Sequence, residues 1–103
     1  ILIQVNQGGE LSKSGISKDF LESLFSEVSN LKNIKIKGLM SIPPFNEPAR
    51  PYFQELRRLR DGLEQSLGIV LPYLSMGMSG DFKEAIEEGS THIRVGTAIF
   101  GQR

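Results

Sequence analysis

Two short stretches carry the residue types whose spacing allows chemistry: Ser75-Met76-Gly77-Met78-Ser79-Gly80-Asp81 and Arg94-Val95-Gly96-Thr97-Ala98. The first reads as a strand end, a tight glycine turn and a helix start. Ser79 and Asp81 are types that favour helix N-termini, because their side chains accept orphan backbone N–H groups. The free N–H groups and positive dipole end of a helix start make an anion site. The second stretch repeats the pattern, with Gly96-Thr97 closing the strand His92–Val95. Glycine there lets the backbone approach a ligand. Two neighbouring strand ends with small residues, free N–H groups and one arginine suggest a phosphate-bearing ligand. The same spacing also fits two ordinary turns of an α/β protein, since Gly and Ser are common turn residues.

Around these stretches the chain alternates strand and helix patterns. Ile1, Ile3 and Val5 share one face of a first strand, with Leu2, Gln4 and Asn6 on the other. A turn-rich loop, Gly8 to Gly15, follows. Ser17 is placed as an N-cap, and Phe20, Leu21, Leu24, Phe25, Val28 and Leu31 recur at helical spacing. Ile34–Ser41 reads as the second strand, stopped by Pro43 and Pro44. A second helix runs from about Pro48, or nearer Arg50 if Pro51 sits in its first turn, to Leu67, with Gly68 as its C-terminal cap. Tyr73–Met78 is the third strand. Phe82, Ala85 and Ile86 mark a short helix, His92–Val95 is the fourth strand, and Ala98–Gly101 reads as a turn.

The order β-α-β-α-β-α-β argues for a parallel sheet with right-handed crossovers. Four such strands are half of a (β/α)8 barrel, which needs about 250 residues. Gln4, Asn6, Ser75, His92 and Arg94 fall at alternate strand positions and are expected to point inward. The loops after Asn6, Ser41, Met78 and Gly96 would open at the C-terminal strand ends, where barrels bind ligands.

Composition narrows the classes. A chain of 103 residues suits one domain, and its formal net charge of zero lends no support to a nucleic-acid or anionic-membrane partner. Arg57, Arg58 and Arg60 are flanked by Glu55, Asp61 and Glu64, so they read as a solvated helix face. Glu84, Glu87 and Glu88 read likewise. The lack of cysteine removes disulfides, zinc–thiolate sites and thiol catalysis. No apolar run approaches the ~20 residues that span a bilayer. His92, the only histidine, reads as a bystander rather than a base. No metal set, paired carboxylates or nucleophile–base pair adjoins the expected pocket, so hydrolase and transferase chemistry are not inferred. Ile1-Leu2-Ile3 starts inside a strand-like run, without a charged signal region or an initiator methionine, and reads as the interior of something longer.

Ser12-Lys13-Ser14-Gly15, Gly38-Leu39-Met40, Leu74–Asp81, Glu88-Gly89-Ser90-Thr91 and Ile93–Gly101 together resemble the pyridoxal phosphate homeostasis proteins, the YggS/PROSC-like family. The resemblance spans essentially the whole chain and matches the C-terminal half of that family's barrel. It implies residues 1–103 as a single half-barrel of fold-type III, similar to the barrel domain of alanine racemase. It implies a cytoplasmic, non-enzymatic protein that binds pyridoxal 5′-phosphate (PLP) and buffers or delivers it. Under the resemblance Ser79 holds the phosphate by hydroxyl and N–H. Gly96 and Thr97 donate N–H groups to it, the Thr97 hydroxyl adds another bond, and Arg94 faces the pyridine nitrogen.

The family's Schiff-base lysine lies on the first barrel strand, a part with no counterpart here. Lys35 and Lys37 precede their strand, and Lys13 lies in a ligand-side loop without matching the lysine motif. The expectation is therefore weak, non-covalent PLP binding. Two other functions stay open: a PLP-dependent, racemase-like enzyme, and a self-associating half-barrel that pairs its open edges with another copy or with a complementary half.

Overall fold

Alternation with period two, and β-branched residues at one parity, produce the first strand, β1 (Leu2–Asn6). The computed structural model describes residues 1–8, 15–44 and 46–101, and the backbone alone at Ala98. After β1 come β2 (Ile16–Ser17), a 3-10 turn (Lys18–Phe20), α1 (Leu21–Val28), β3 (Gly38–Met40), α2 (Arg50–Leu67), β4 (Tyr73–Met78), α3 (Phe82–Glu87), β5 (His92–Arg94) and α4 (Thr97–Phe100). The strands form one sheet in the order β2-β1-β3-β4-β5, and every pairing is parallel. All strand C-termini therefore open at one end, as the half-barrel reading requires.

Register sorts the side chains into two faces. Ile3, Leu39 and Leu74 are neighbours across three strands. Leu39 and Leu74 are buried, and so are Val5 and Met76 at the same parity. They pack with Leu21 and Phe25 of α1, Phe53, Leu56 and Leu63 of α2, and Ala85 of α3. The three helices thus cover one face, as right-handed crossovers dictate. The next row, Gln4, Met40, Ser75 and His92, lies on the helix-free face. Tyr73 and His92 meet edge-on there, with ring centroids 5.2 Å apart. Gln4, Ser75, His92 and Arg94 hold the inward parity expected of a half-barrel.

Helix α2 begins at Arg50, the later of the two expected starts, with Pro51 in its first turn. It ends on Gly68 in the left-handed conformation (φ 66°), whose N–H reaches the Glu64 carbonyl at 2.9 Å. The Arg60 guanidinium donates to the Leu71 carbonyl (3.1 Å) and the Glu64 carboxylate accepts the Leu71 N–H (2.8 Å), so α2 also satisfies the segment that leads into β4.

Four boundaries differ from expectation. The sheet has five strands, not four, because Ile16-Ser17 pairs with Val5-Asn6 before the chain turns. Ser17 still acts as a cap, accepting the Asp19 N–H of the 3-10 turn, and α1 proper starts four residues later at Leu21. Strand β3 is shorter than Ile34–Ser41. Lys37 donates to Ile1 and accepts from Tyr73, but the next donor of that parity, the Leu71 N–H, is taken by the Glu64 carboxylate, so the ladder stops. Thr97–Phe100 closes into one helical turn, α4, where Ala98–Gly101 was read as a turn.

Candidate functional site

The end of β4 is built on a backbone only glycine supports. Gly77 has φ 104°, and a Cβ there would lie 2.6 Å from the Ala85 Cβ. Its close approach seats α3 directly behind the loop Met78–Asp81. That loop closes on itself. The Met78 N–H donates to the Asp81 carboxylate at 2.7 Å, and the Asp81 N–H donates to the Met78 carbonyl at 3.1 Å. Asp81 occupies the N-cap position of α3, as expected, but makes no side-chain cap bond. Its carboxylate is turned back onto Met78, because the tight turn offers a nearer donor than the helix does.

The second loop meets the first. The Gly96 N–H donates to the Ser79 hydroxyl at 3.1 Å. Gly96 is also the N-cap of α4, its carbonyl accepting from Ile99 (3.0 Å) and Phe100 (2.8 Å), with no side-chain cap. Beside this junction opens a cleft of about 1440 Å³, walled by Pro43 and Pro44 after β3, Met78–Asp81 after β4, and Gly96, Thr97 and Phe100 after β5. Ser79, Gly96 and Thr97 thus lie together at the strand C-termini.

Arg94 does not line that cleft. Ile93 faces α3, since its side chain lies 3.3 Å from the Cβ position of Gly77, so Arg94 alternates onto the helix-free face, opposite Met78. Among the described residues its side chain makes no hydrogen bond or ion pair.

Charge around the cleft is mostly negative. Glu47, Asp81 and Glu84 line it, and the one lining cation among the described residues is Arg50. Arg50 is already engaged, donating to Glu88 and to Glu87 at 2.7 Å each. Those two carboxylates, Glu87 first, raise its pKa. Glu88 is the buried partner, 8% exposed. The Arg50 guanidinium holds its carboxyl below the ordinary value against the opposing effect of burial, and Gln54 and Arg57 add to the effect. The expectation that Glu88 is a solvated face residue is therefore corrected: it is the hub that joins α2 to α3. Two of the three arginines expected to be solvated also have fixed partners, Arg57 at Glu88 (3.3 Å to its carbonyl) and Arg60 at Leu71. Nothing in the helical spacing distinguishes them, because their partners come from other elements.

A second network ties the loops to α2. The Ser41 hydroxyl donates to the Gln7 side-chain carbonyl at 2.5 Å, and the Gln7 amide donates to the Tyr52 carbonyl (2.8 Å) and the Glu55 carboxylate (3.0 Å). His92 contacts Tyr73 and the Thr91 hydroxyl (2.9 Å from Nδ1). Lys35 and Lys37 precede β3, at the opposite end of the sheet from the cleft. Lys13 lies outside the described residues. Among the described residues no group of three or more potential metal-ligating side chains occurs, and no helix is long and apolar enough to cross a membrane.

Residues 1–103 match the alanine racemase N-terminal domain family. The chain is 51% identical to the pyridoxal phosphate homeostasis protein of Aquifex aeolicus over 106 residues, covering 100% of this chain and 46% of that one. It is 50% identical to the Vibrio cholerae protein of the same name, covering 100% of this chain and 44% of the relative. It therefore spans about half the length of the curated relatives it matches. PipY of Synechococcus elongatus PCC7942, in a structure with PLP bound, superposes with a TM-score of 0.86 at 36% identity, over 97% of this chain and 48% of PipY. The PipY structure without PLP gives a TM-score of 0.88.

Proposed function

The chain belongs to the alanine racemase N-terminal domain family, and from that premise we propose that it binds pyridoxal 5′-phosphate as a homeostasis protein does, holding and releasing the cofactor without turning over a substrate. The observation that carries this reading is the 3.1 Å bond between the Ser79 hydroxyl and the Gly96 N–H, which makes one cup of two strand-end loops. The donor set suits a phosphate monoester. Ser79 carries a hydroxyl and an N–H, Thr97 an N–H and a hydroxyl, and the Gly96 N–H, held by the Ser79 hydroxyl in this structure, would turn to a phosphate oxygen that takes its place. Gly96 leaves open space where a Cβ would stand, so a phosphate oxygen can come close.

When bound, PLP supplies an aldehyde and a pyridine ring able to withdraw electrons. Arg94 is assigned to the ring nitrogen. Its guanidinium is permanently charged and only donates, so it holds that nitrogen unprotonated and weakens the electron withdrawal on which PLP enzymes depend. Retention by the cup and Arg94 is assigned as loose and non-covalent.

The reading places the protein in the cytoplasm, beside the apoenzymes that draw on the cofactor. The helix-free face, with Tyr73 and Met78 exposed (42% and 44%), is assigned to pairing with a second copy or a complementary half. Solution mass tests that pairing, and a monomer at high protein concentration would refute self-association. Equilibrium titration of the 103-residue chain with PLP, with inorganic phosphate as competitor, tests the function. Reversible binding displaced by phosphate is expected. Binding of pyridoxal equal to that of PLP would remove the phosphate cup from the account.

A further inference from the structure

We propose that Asp81 sets how tightly this site holds a phosphate ester, by fixing the loop that carries Ser79 while repelling the dianion that the loop receives. The inference rests on the phosphate-cup reading above. One Asp81 oxygen accepts the Met78 N–H at 2.7 Å, and the other has no partner among the described residues. The side chain lies two positions from Ser79 and lines the same cleft as Ser79, Gly96 and Thr97.

Among the described residues nothing offsets its charge. Glu84 lines the cleft one turn along α3, and no partner engages its carboxylate among the described residues. Glu47 stands on the opposite wall, bonded to the Tyr52 hydroxyl at 3.0 Å. Arg50, the lining cation, is committed to Glu87 and Glu88. The cup therefore presents neutral donors in a cleft whose uncommitted charges, among the described residues, are carboxylates. A like charge lining the same partly hydrated cleft changes affinity by about three- to tenfold.

A turn that served only to close β4 would need an acceptor for the Met78 N–H, and a neutral amide would supply it as well as a carboxylate. The charge is thus the part of Asp81 that closing the turn does not require. A protein that must surrender its cofactor gains from that charge, because a site of donors alone would release slowly.

The test separates acceptor from charge. Asp81→Asn keeps an oxygen acceptor and removes the charge, and PLP and inorganic phosphate should both bind about three- to tenfold more tightly, with pyridoxal unchanged. Asp81→Ala removes both and should bind PLP more weakly than wild type. Glu84→Gln leaves the turn untouched and should tighten PLP by about twofold, so it decides the matter if Asp81→Asn does not fold. A folded Asp81→Asn, judged by circular dichroism, that binds PLP no better than wild type would overturn the proposal. A wild type and variants that all ignore PLP and phosphate would overturn the cup reading, and this inference with it.

Discussion

The Gly96 N–H and the Ser79 hydroxyl lie 3.1 Å apart although 17 residues separate them in the chain. This bond brings the loop after β4 against the loop after β5, and the candidate phosphate site lies where they meet. The Ser79 oxygen stands where an anionic oxygen would take the same donor. Replacing Ser79 with Ala should lower PLP affinity about tenfold to a hundredfold, the range for a hydrogen bond to a charged group. Ser79 is only half-buried, so thermal stability should move little. Paired titration and melting measurements check both parts.

Arg94 and Gly96 serve different parts of the ligand, so their variants should differ in kind. Arg94 faces the helix-free side of β5 without a described partner. Arg94→Glu should leave phosphate competition intact and change PLP affinity by no more than about fivefold, as for an exposed charge. It should also shift the ring nitrogen toward its protonated form at neutral pH. Nitrogen NMR of ring-labelled PLP reads that change, and an unaltered ring nitrogen would remove Arg94 from its assigned role.

Glu88 links stability to acid pH. Its carboxyl titrates below its ordinary value of 4.5 because Arg50 donates to it. A group whose folded pKa is depressed contributes stability above its unfolded pKa and loses it as pH falls through the folded value. Arg50 is raised from a value already beyond the accessible range, so it stays charged and adds no pH dependence. The melting temperature should therefore decline as pH drops below about 4.5. Glu88→Gln should be less stable than wild type at neutral pH and show a flatter acid limb. Melting curves taken across the acid range test the slope.

Gly77 has two reasons to resist substitution. Its φ of 104° disfavours any side chain, and a Cβ would meet the Ala85 Cβ at 2.6 Å. Gly77→Ala should destabilise the fold by about 2 kcal/mol or more, from strain and overpacking together. Adding Ala85→Gly removes the contact but not the backbone strain, so it should restore only part of the loss. Denaturant unfolding of the two variants separates the contributions.

Much of the architecture was legible in the pattern of residues. Period-two alternation marks β1, helical stripes mark α1 and α2, and the β-α order requires a parallel sheet with one covered face. Boundaries were less legible where backbone pairing decided them. Ile16-Ser17 is too short to show a period and becomes a strand only because β1 lies beside it. The buried state of Glu88 and the partners of Arg57 and Arg60 were hidden because they join elements far apart in the chain.

The site divides in the same way. Ser79, Gly96 and Thr97 could be named from small residues following strand patterns, since turn chemistry is local and its residue types are few. Only the tertiary structure decided that their two loops touch, that Asp81 turns its carboxylate to Met78 rather than to α3, and that the cleft is walled by carboxylates with its arginine already engaged. Local sequence sets what a segment prefers by itself. Which donor finds which acceptor across the sheet depends on register and on the packing of helices around it, and no single segment holds that information.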